Sequence, residues 1–440
     1  MKKAHVTDTQ QKATNDCGWF SDIPDAVWEQ IWIVNYARTF PRLCKRFRDI
    51  AGKMPFGKRV IQVELPDNPW LGVLHVHGRF FPKNVIFSVS VRNRWMDINQ
   101  ILEALCSEVY RLKGADFMKG IKCNEHKATF SDFSLCPGLL YMNLSRTSVE
   151  DITSITSCGA LEYLYLDGTR VRDISGVSVL KNLKRLSLAN TKILDISPIS
   201  KCLMLEYLNL VEVFIIKDIT PISHCAELQC INMIGAEWSV NSDNISAFSQ
   251  CTKLERVYLA DTVVSDISAL SSCPNLNVLN IVTSRVTDIK AIQSCTGLQA
   301  LLSRNAYIED ISQFSSYYDL QVVDIGNTNV QDISALSSCI KLASLKCDDT
   351  PVRDISPLSV CTRLIKLNIR NTWVEDISPL STCRNLEYLN ISATQISSVS
   401  PLSQFHKLKR LESYQNNVYD FTMLSINTRV SSEHTSGHPL

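Results

Sequence analysis

The triplet Asp-Ile-Ser returns along this chain at an interval that is almost always 22 residues. It stands at Asp151, Asp173, Asp195, Asp266, Asp310, Asp332, Asp354 and Asp376, with variants Asp-Ile-Thr at Asp218 and Asp-Ile-Lys at Asp288. A fixed period of this size dictates a solenoid. One unit is too small to bury its own apolar face and becomes stable only by stacking on its neighbours.

The segment from Cys383 to Leu402 shows the unit cleanly, with recurring positions Cys383, Leu386, Leu389, Ile391, Thr394, Ile396, Val399 and Leu402. Leu389-x-Ile391 alternates as a strand does, sending both side chains inward and leaving Tyr388, Asn390 and Ser392 on the other face. Steps of 22 residues place unit starts at Cys136, Cys158, Leu180 and Cys202. After breaks they continue at Cys225, Cys251, Cys273, Cys295, Tyr317, Cys339, Cys361, Cys383 and Phe405, thirteen in all. After Asp376-Ile377 come Ser378 and Pro379, a Ser that can cap a helical turn and a Pro suited to its first position. Cys383 follows only seven positions after Asp376. The convex side therefore has room for a single 3₁₀ or α turn.

This unit resembles the leucine-rich repeat, L-x-x-L-x-L-x-x-N with Thr in the usual Asn position, in the short 22-residue class of internalin-like proteins. The resemblance covers Cys136 to Leu424. It implies an α/β solenoid: a horseshoe of about thirteen repeats with a parallel sheet on the concave face. The Cys column then reads as a stack of small buried hydrophobes rather than disulfides. The Thr column (Thr147, Thr169, Thr191, Thr262, Thr328, Thr350, Thr372, Thr394) reads as a ladder of hydroxyls bonded to the backbone of the neighbouring turn. The Asp column reads as carboxylates capping the free amides of turns.

Ahead of the array, residues 20–56 carry apolar positions at helical spacing (Val27, Ile31, Val34) and a second, basic helix ending in Leu43-Cys44-Lys45-Arg46-Phe47. The two ends, Ile23-Pro24-Asp25 and Leu43 to Phe47, are similar to those of an F-box. The middle is about five residues shorter than that module and lacks its Leu-Asp-Pro turn. The resemblance implies a small helical module docking a cullin adaptor through Ile23, Pro24, Val27, Trp28, Ile31, Leu43 and Phe47. Residues 37–59 hold eight basic residues and one acidic residue, a patch that suits an acidic partner and would also suit phosphate.

Residues 57–135 read as an irregular capping region. Strands are expected at 60–63, 73–76, 85–89 and 121–123, and a helix at 97–112. Residues 1–19 and the polar tail 425–440 read as disordered. With 45 Lys+Arg against 44 Asp+Glu, the formal charge of +1 argues against a chain built to coat nucleic acid or an acidic membrane. No apolar run approaches a spanning helix, and Met1-Lys2-Lys3 leads into polar residues, so a cytosolic or nuclear address is expected.

Chemistry has little to build on. The chain holds no G-x-x-x-x-G-K, G-x-S-x-G, H-E-x-x-H or C-x-x-C. His75-x-His77 has no matching ligand pair nearby, and Cys44 reads as a packing residue. No catalytic residue, metal or cofactor is expected.

Binding therefore falls to the concave sheet. The register places Tyr141, Tyr163, Tyr165, Tyr207 and Tyr258 outward in the first half. It places Lys346, Asp348, Lys366, Arg370, Tyr388, Arg410, Glu412 and Tyr414 outward in the last repeats. Tyr and Arg dominate binding hot spots, although Tyr also simply suits a sheet. The period breaks twice: Asp195 to Asp218 spans 23 residues, and Asp218 to Asn244 spans 26. The second surplus places Trp238 in a protruding loop, where insertions in solenoids often bind. The resemblance to F-box/leucine-rich-repeat proteins implies a non-catalytic substrate-recognition subunit of an SCF-type ubiquitin ligase, monomeric outside its complex. A binding scaffold whose N-terminal hairpin only caps the solenoid, and an RNA-associated regulator using the basic helix, remain open readings.

Overall fold

The computed structural model describes residues 59–65, 85–91 and 120–122, then 133–432 apart from 135–136, 217, 239–244 and 425–427. Its centre is one 15-stranded parallel sheet. Thirteen of these strands, from Tyr141–Asn143 to Arg410–Ser413, follow the thirteen unit starts read from the sequence. Each strand is joined to the next by a 3₁₀ turn on the opposite side, such as Ser378–Thr382. The expected single convex turn is therefore present, and it is 3₁₀ throughout the described array.

Stacking produces the core. In the unit from Cys383, the side chains of Leu386, Leu389, Ile391, Ile396, Val399 and Leu402 are buried against their own copies in adjacent repeats. The same positions make one continuous apolar filament from Phe133 to Val418.

One backbone feature holds the register. The residue before the Thr position has positive φ in every repeat, from 51° at Asn327 to 65° at Gly168. The N–H of this left-handed residue donates to a carbonyl of the following repeat, as Asn327 does to Asp348 at 2.8 Å and Asp349 to Arg370 at 2.8 Å. Asn, Asp and Gly tolerate this conformation, and they fill most of these positions. Thr283, with φ of 55°, is β-branched and strained there.

The Asp column is built as read. Each of the ten Asp residues accepts the N–H two residues on, from Thr153 to Asp151 at 2.7 Å through Ser378 to Asp376 at 2.7 Å. Ser378 is not itself the cap. Its N–H and its hydroxyl both donate to Asp376, the hydroxyl at 2.6 Å. The Thr column also differs from the reading: each hydroxyl donates to the carbonyl three residues earlier in its own repeat, as Thr394 does to Ile391 at 2.6 Å. The left-handed residue turns the chain back, which brings that carbonyl within reach.

The described Cys side chains of the column are fully buried and unbridged, and each thiol points at a carbonyl of the preceding turn, as Cys383 does to Leu358 at 3.4 Å. Tyr317 occupies the same column and donates its hydroxyl to the equivalent carbonyl of Ile292 at 2.7 Å. Burial pushes the thiols up, to about 12 at Cys251 and Cys361. They are protonated and unreactive in the folded array.

Upstream, Arg59–Leu65 and Val85–Val91 pair in parallel over seven residues, and Gly120–Lys122 joins the edge of the main sheet beside Tyr141–Asn143. The strand expected at 73–76, the helix at 97–112 and the F-box-like segment lie outside the described residues. Two expectations change. The two period breaks are one structure, because Phe214–Ile216 and Glu237–Trp238 pair in parallel as a short ribbon. Both surpluses fall in the same segment of consecutive repeats, so their backbone groups satisfy each other. Trp238 thus belongs to a strand rather than to a free loop. In the tail, Arg429–Ser432 pairs with Arg410–Ser413 and covers the last edge of the sheet. Thr428 anchors this strand through its hydroxyl, which donates to the Leu408 carbonyl at 2.9 Å.

Two outcomes follow. Thr283→Asn relieves the strained φ and should extend the side-chain ladder in which Asn327 donates to Asn305 at 2.9 Å. It is expected to stabilise the array by about 0.5–1 kcal/mol in urea unfolding. Hydrogen bonds from Ser or Thr hold the carboxyls of Asp151, Asp218 and Asp310 below their usual range. A depressed folded pKa gives stability that is present above the unfolded value and lost as the pH falls through the folded one. Melts should therefore hold near neutrality and drop below about pH 4.

Candidate interaction surface on the concave sheet

Each strand presents two outward positions flanking its buried central residue, and a third outward position lies two residues further on. The three rows have different fates. The second position is used by the protein itself. Asn143, Asn209, Asn232, Asn280, Asp324, Asn368 and Asn390 each turn back to accept the N–H two residues on, at 2.9–3.2 Å. Asn390, read as exposed, is buried for this reason and also donates to Glu412 at 2.7 Å. Ser392 is buried as well, its hydroxyl accepting the Tyr414 N–H at 3.1 Å. The sequence signal was present, an Asn recurring directly after the central Leu, but it was not read as a backbone clamp.

In the first third, Tyr141, Tyr163 and Tyr165 form one cluster. The Tyr141 ring lies 6.4 Å from Tyr163 and 5.5 Å from Tyr165. Tyr165 is only 5% exposed and Tyr207 only 7%, so these two form the wall of the surface rather than its contact face. The rings of their neighbours cover what register alone left outward. Burial raises the hydroxyl pKa of both Tyr141 and Tyr165, so neither ionises near neutrality. Tyr207 sits in the first row between Arg185 and Cys230, whereas Tyr258 sits in the second row between Asn232 and Asn280. The structure does not bring these two together. Asp167, not anticipated, anchors this third by accepting the Ala189 N–H at 2.9 Å and the hydroxyls of Ser187 and Ser145. Burial raises its pKa despite these bonds.

The middle is locked by a cluster of which the sequence reading named only Lys346 and Asp348. Arg304 pairs with Asp324 at 3.2 Å and with Asp348, 44 residues away, while Lys346 reaches Asp324 at 3.2 Å. Gly326 makes the crossing possible, since a Cβ there would stand 2.3 Å from the Arg304 guanidinium. In the last third, Lys366, Arg370, Arg410 and Tyr414 are exposed and Tyr388 is half-buried. Arg410 lies 5.9 Å from the Tyr388 ring and 2.6 Å from Glu412, and Arg370 lies 3.6 Å from Asp349. Beside the sheet, a recess of about 330 Å³ is lined by Asn327, Asp349, Asn371 and Trp373 among others, with Arg353 stacked 4.5 Å from the Trp373 ring. The residues read as adaptor contacts, Ile23 to Phe47, lie outside the described residues.

No cluster of His, Cys, Asp and Glu with metal-binding geometry occurs among the described residues. No described helix is long and apolar enough to cross a membrane. What the surface offers is a continuous parallel sheet with aromatic, small apolar and cationic thirds.

The comparisons with known proteins agree with this geometry. A family described as Leucine Rich repeats (2 copies) matches residues 362–412. No curated protein matches the chain in sequence. Among solved structures, a leucine-rich-repeat protein of Leptospira interrogans superposes with a TM-score of 0.73 at 14% identity, covering 92% of this chain and 100% of its own. An internalin (InlF) of Listeria monocytogenes gives 0.65 at 22% identity over 74% and 95%. The functional domain of InlJ from the same organism, described as including a cysteine ladder, gives 0.54 at 18% over 73% and 69%. The array therefore has the fold of a leucine-rich-repeat solenoid, with internalin-like structural neighbours.

Arg304→Ala leaves two nearly buried carboxylates short of their cation. Because Arg304 is itself 27% exposed, the expected loss is about 2–3 kcal/mol, less than for a fully buried pair. Adding Asp348→Asn to Arg304→Ala should restore part of it in urea unfolding.

Proposed function

We propose that this chain is a recognition subunit that holds a protein partner on its concave sheet, and that its N-terminal segment docks a cullin adaptor. It would then be the substrate receptor of an SCF-type ubiquitin ligase, working in the cytosol or nucleus without chemistry of its own. The observation that carries the first half is the division of labour among the outward rows. Seven residues of the second row are spent on backbone clamps, while the first row keeps exposed Lys366 and Arg410 and half-buried Tyr141, Tyr163 and Tyr388. Tyr and Arg on a pre-ordered sheet bind with little further loss of entropy. The second half is supported by Ile23-Pro24-Asp25 and Leu43-Cys44-Lys45-Arg46-Phe47, the two F-box-like ends.

The test is affinity purification of the full chain from lysate of its own source. Wild type should retain a cullin adaptor together with its partner. Pro24→Ala with Ile31→Asp should lose the adaptor and keep the partner. Burying an unpaired carboxylate on docking costs about 2–7 kcal/mol or more, enough to abolish a micromolar contact. If wild type retains no adaptor, the ligase assignment fails and a binding scaffold remains.

A further inference from the structure

We propose that the first outward row from Val278 to Arg429 is a track for one extended acidic segment of a protein partner. Carboxylates of that segment lie over Lys366, Arg410 and Arg429, and its small apolar side chains lie over Val278, Ala300 and Val322. The proposal rests on the concave-face reading and names the chemistry of the partner.

The row is continuous. Val278, Ala300, Val322, Ser344, Lys366, Tyr388, Arg410 and Arg429 pair in unbroken register, each one strand from the next. It divides by chemistry at Ser344. The first three positions are small, apolar and half-buried, whereas three of the last four are exposed cations. None of these eight positions carries a carboxylate. Lys366 and Arg429 hold no ion pair among the described residues, although Lys366 lies in the field of Glu387, and Arg410 keeps an exposed guanidinium beside its bond to Glu412. The cations of the neighbouring rows are already spent, Lys346 on Asp324, Arg370 on Asp349 and Lys409 on Glu387. Among the outward rows of this third, the cations without an ion pair, Lys366 and Arg429, therefore lie in one row.

Spacing defines the ligand. Neighbouring strands stand ~4.8 Å apart, so Lys366 and Arg410 are separated by roughly 10 Å, which a chain in the extended polyproline II form, rising ~3.1 Å per residue with about three residues per turn, covers in about three residues while returning its side chain to the same face. The motif that fits places carboxylates three residues apart around an apolar side chain resting on Tyr388.

The test uses the full chain and a fluorescent peptide, Leu-Ala-Val-Ala-Leu-Ala-Glu-Leu-Ala-Glu-Asp, in anisotropy titrations. Two control peptides replace its acidic residues with Gln and with Lys. The acidic peptide should bind about tenfold or more tighter than the Gln peptide and weaken as salt rises. Lys366→Glu with Arg429→Glu, both exposed, should leave the melting curve in place, remove the acidic preference and favour the Lys peptide. Equal binding of the acidic and Gln peptides, no detectable binding, or a preference that survives the reversal overturns the proposal. So does single-stranded RNA outcompeting the acidic peptide for the same residues. Partners purified with the full chain that survive the reversal but are lost on Tyr141→Ala would place the contact in the aromatic third. That result overturns the acidic track and leaves the concave-face reading standing.

Discussion

Everything in this molecule depends on the backbone bond that the left-handed residue sends to the next repeat. A parallel sheet alone fixes strands of three residues, too short to set a register by themselves. The extra N–H, donated from Arg146 to Asp167, from Asn327 to Asp348 and onward to Tyr414, carries the pairing past the strand and round the corner. Once it is made, every side chain faces its own counterpart one unit away. Columns of Leu, Cys, Asp and Asn then become inevitable, because whatever solves the packing problem once solves it at each level.

That rule explains how far the sequence could be read. Repeat number, strand positions, the buried Leu and Cys columns and the Asp caps were legible because each is a local requirement repeated many times. Features that join unlike repeats were not. Arg304 finds Asp348 across two levels only because Gly326 leaves the space between them empty, and no period announces such a pairing. The ribbon of Phe214–Ile216 with Glu237–Trp238 arises from two irregularities that looked independent. The strand Arg429–Ser432 was hidden by polar composition, since a terminal strand needs backbone partners more than apolar side chains.

The outward face of the sheet was legible in outline and misread in detail for a related reason. Alternation says which side of the sheet a residue faces, but it does not say whether a neighbour covers it. Tyr165 and Tyr207 face the concave side and are nevertheless buried, while Asn390 spends its amide on the frame. A concave surface crowds its own side chains, so the exposed subset is smaller than the outward subset.

The column of buried thiols has a consequence for how the array can be observed coming apart. Each sulfur is shielded by the turn of the repeat before it and held protonated, so an alkylating reagent reaches it only when those two levels separate. The column runs from Cys158 to Cys383, which makes it a graduated scale along the axis. The order in which the sulfurs become labelled would record where unzipping begins and how far it travels, level by level, without any added probe.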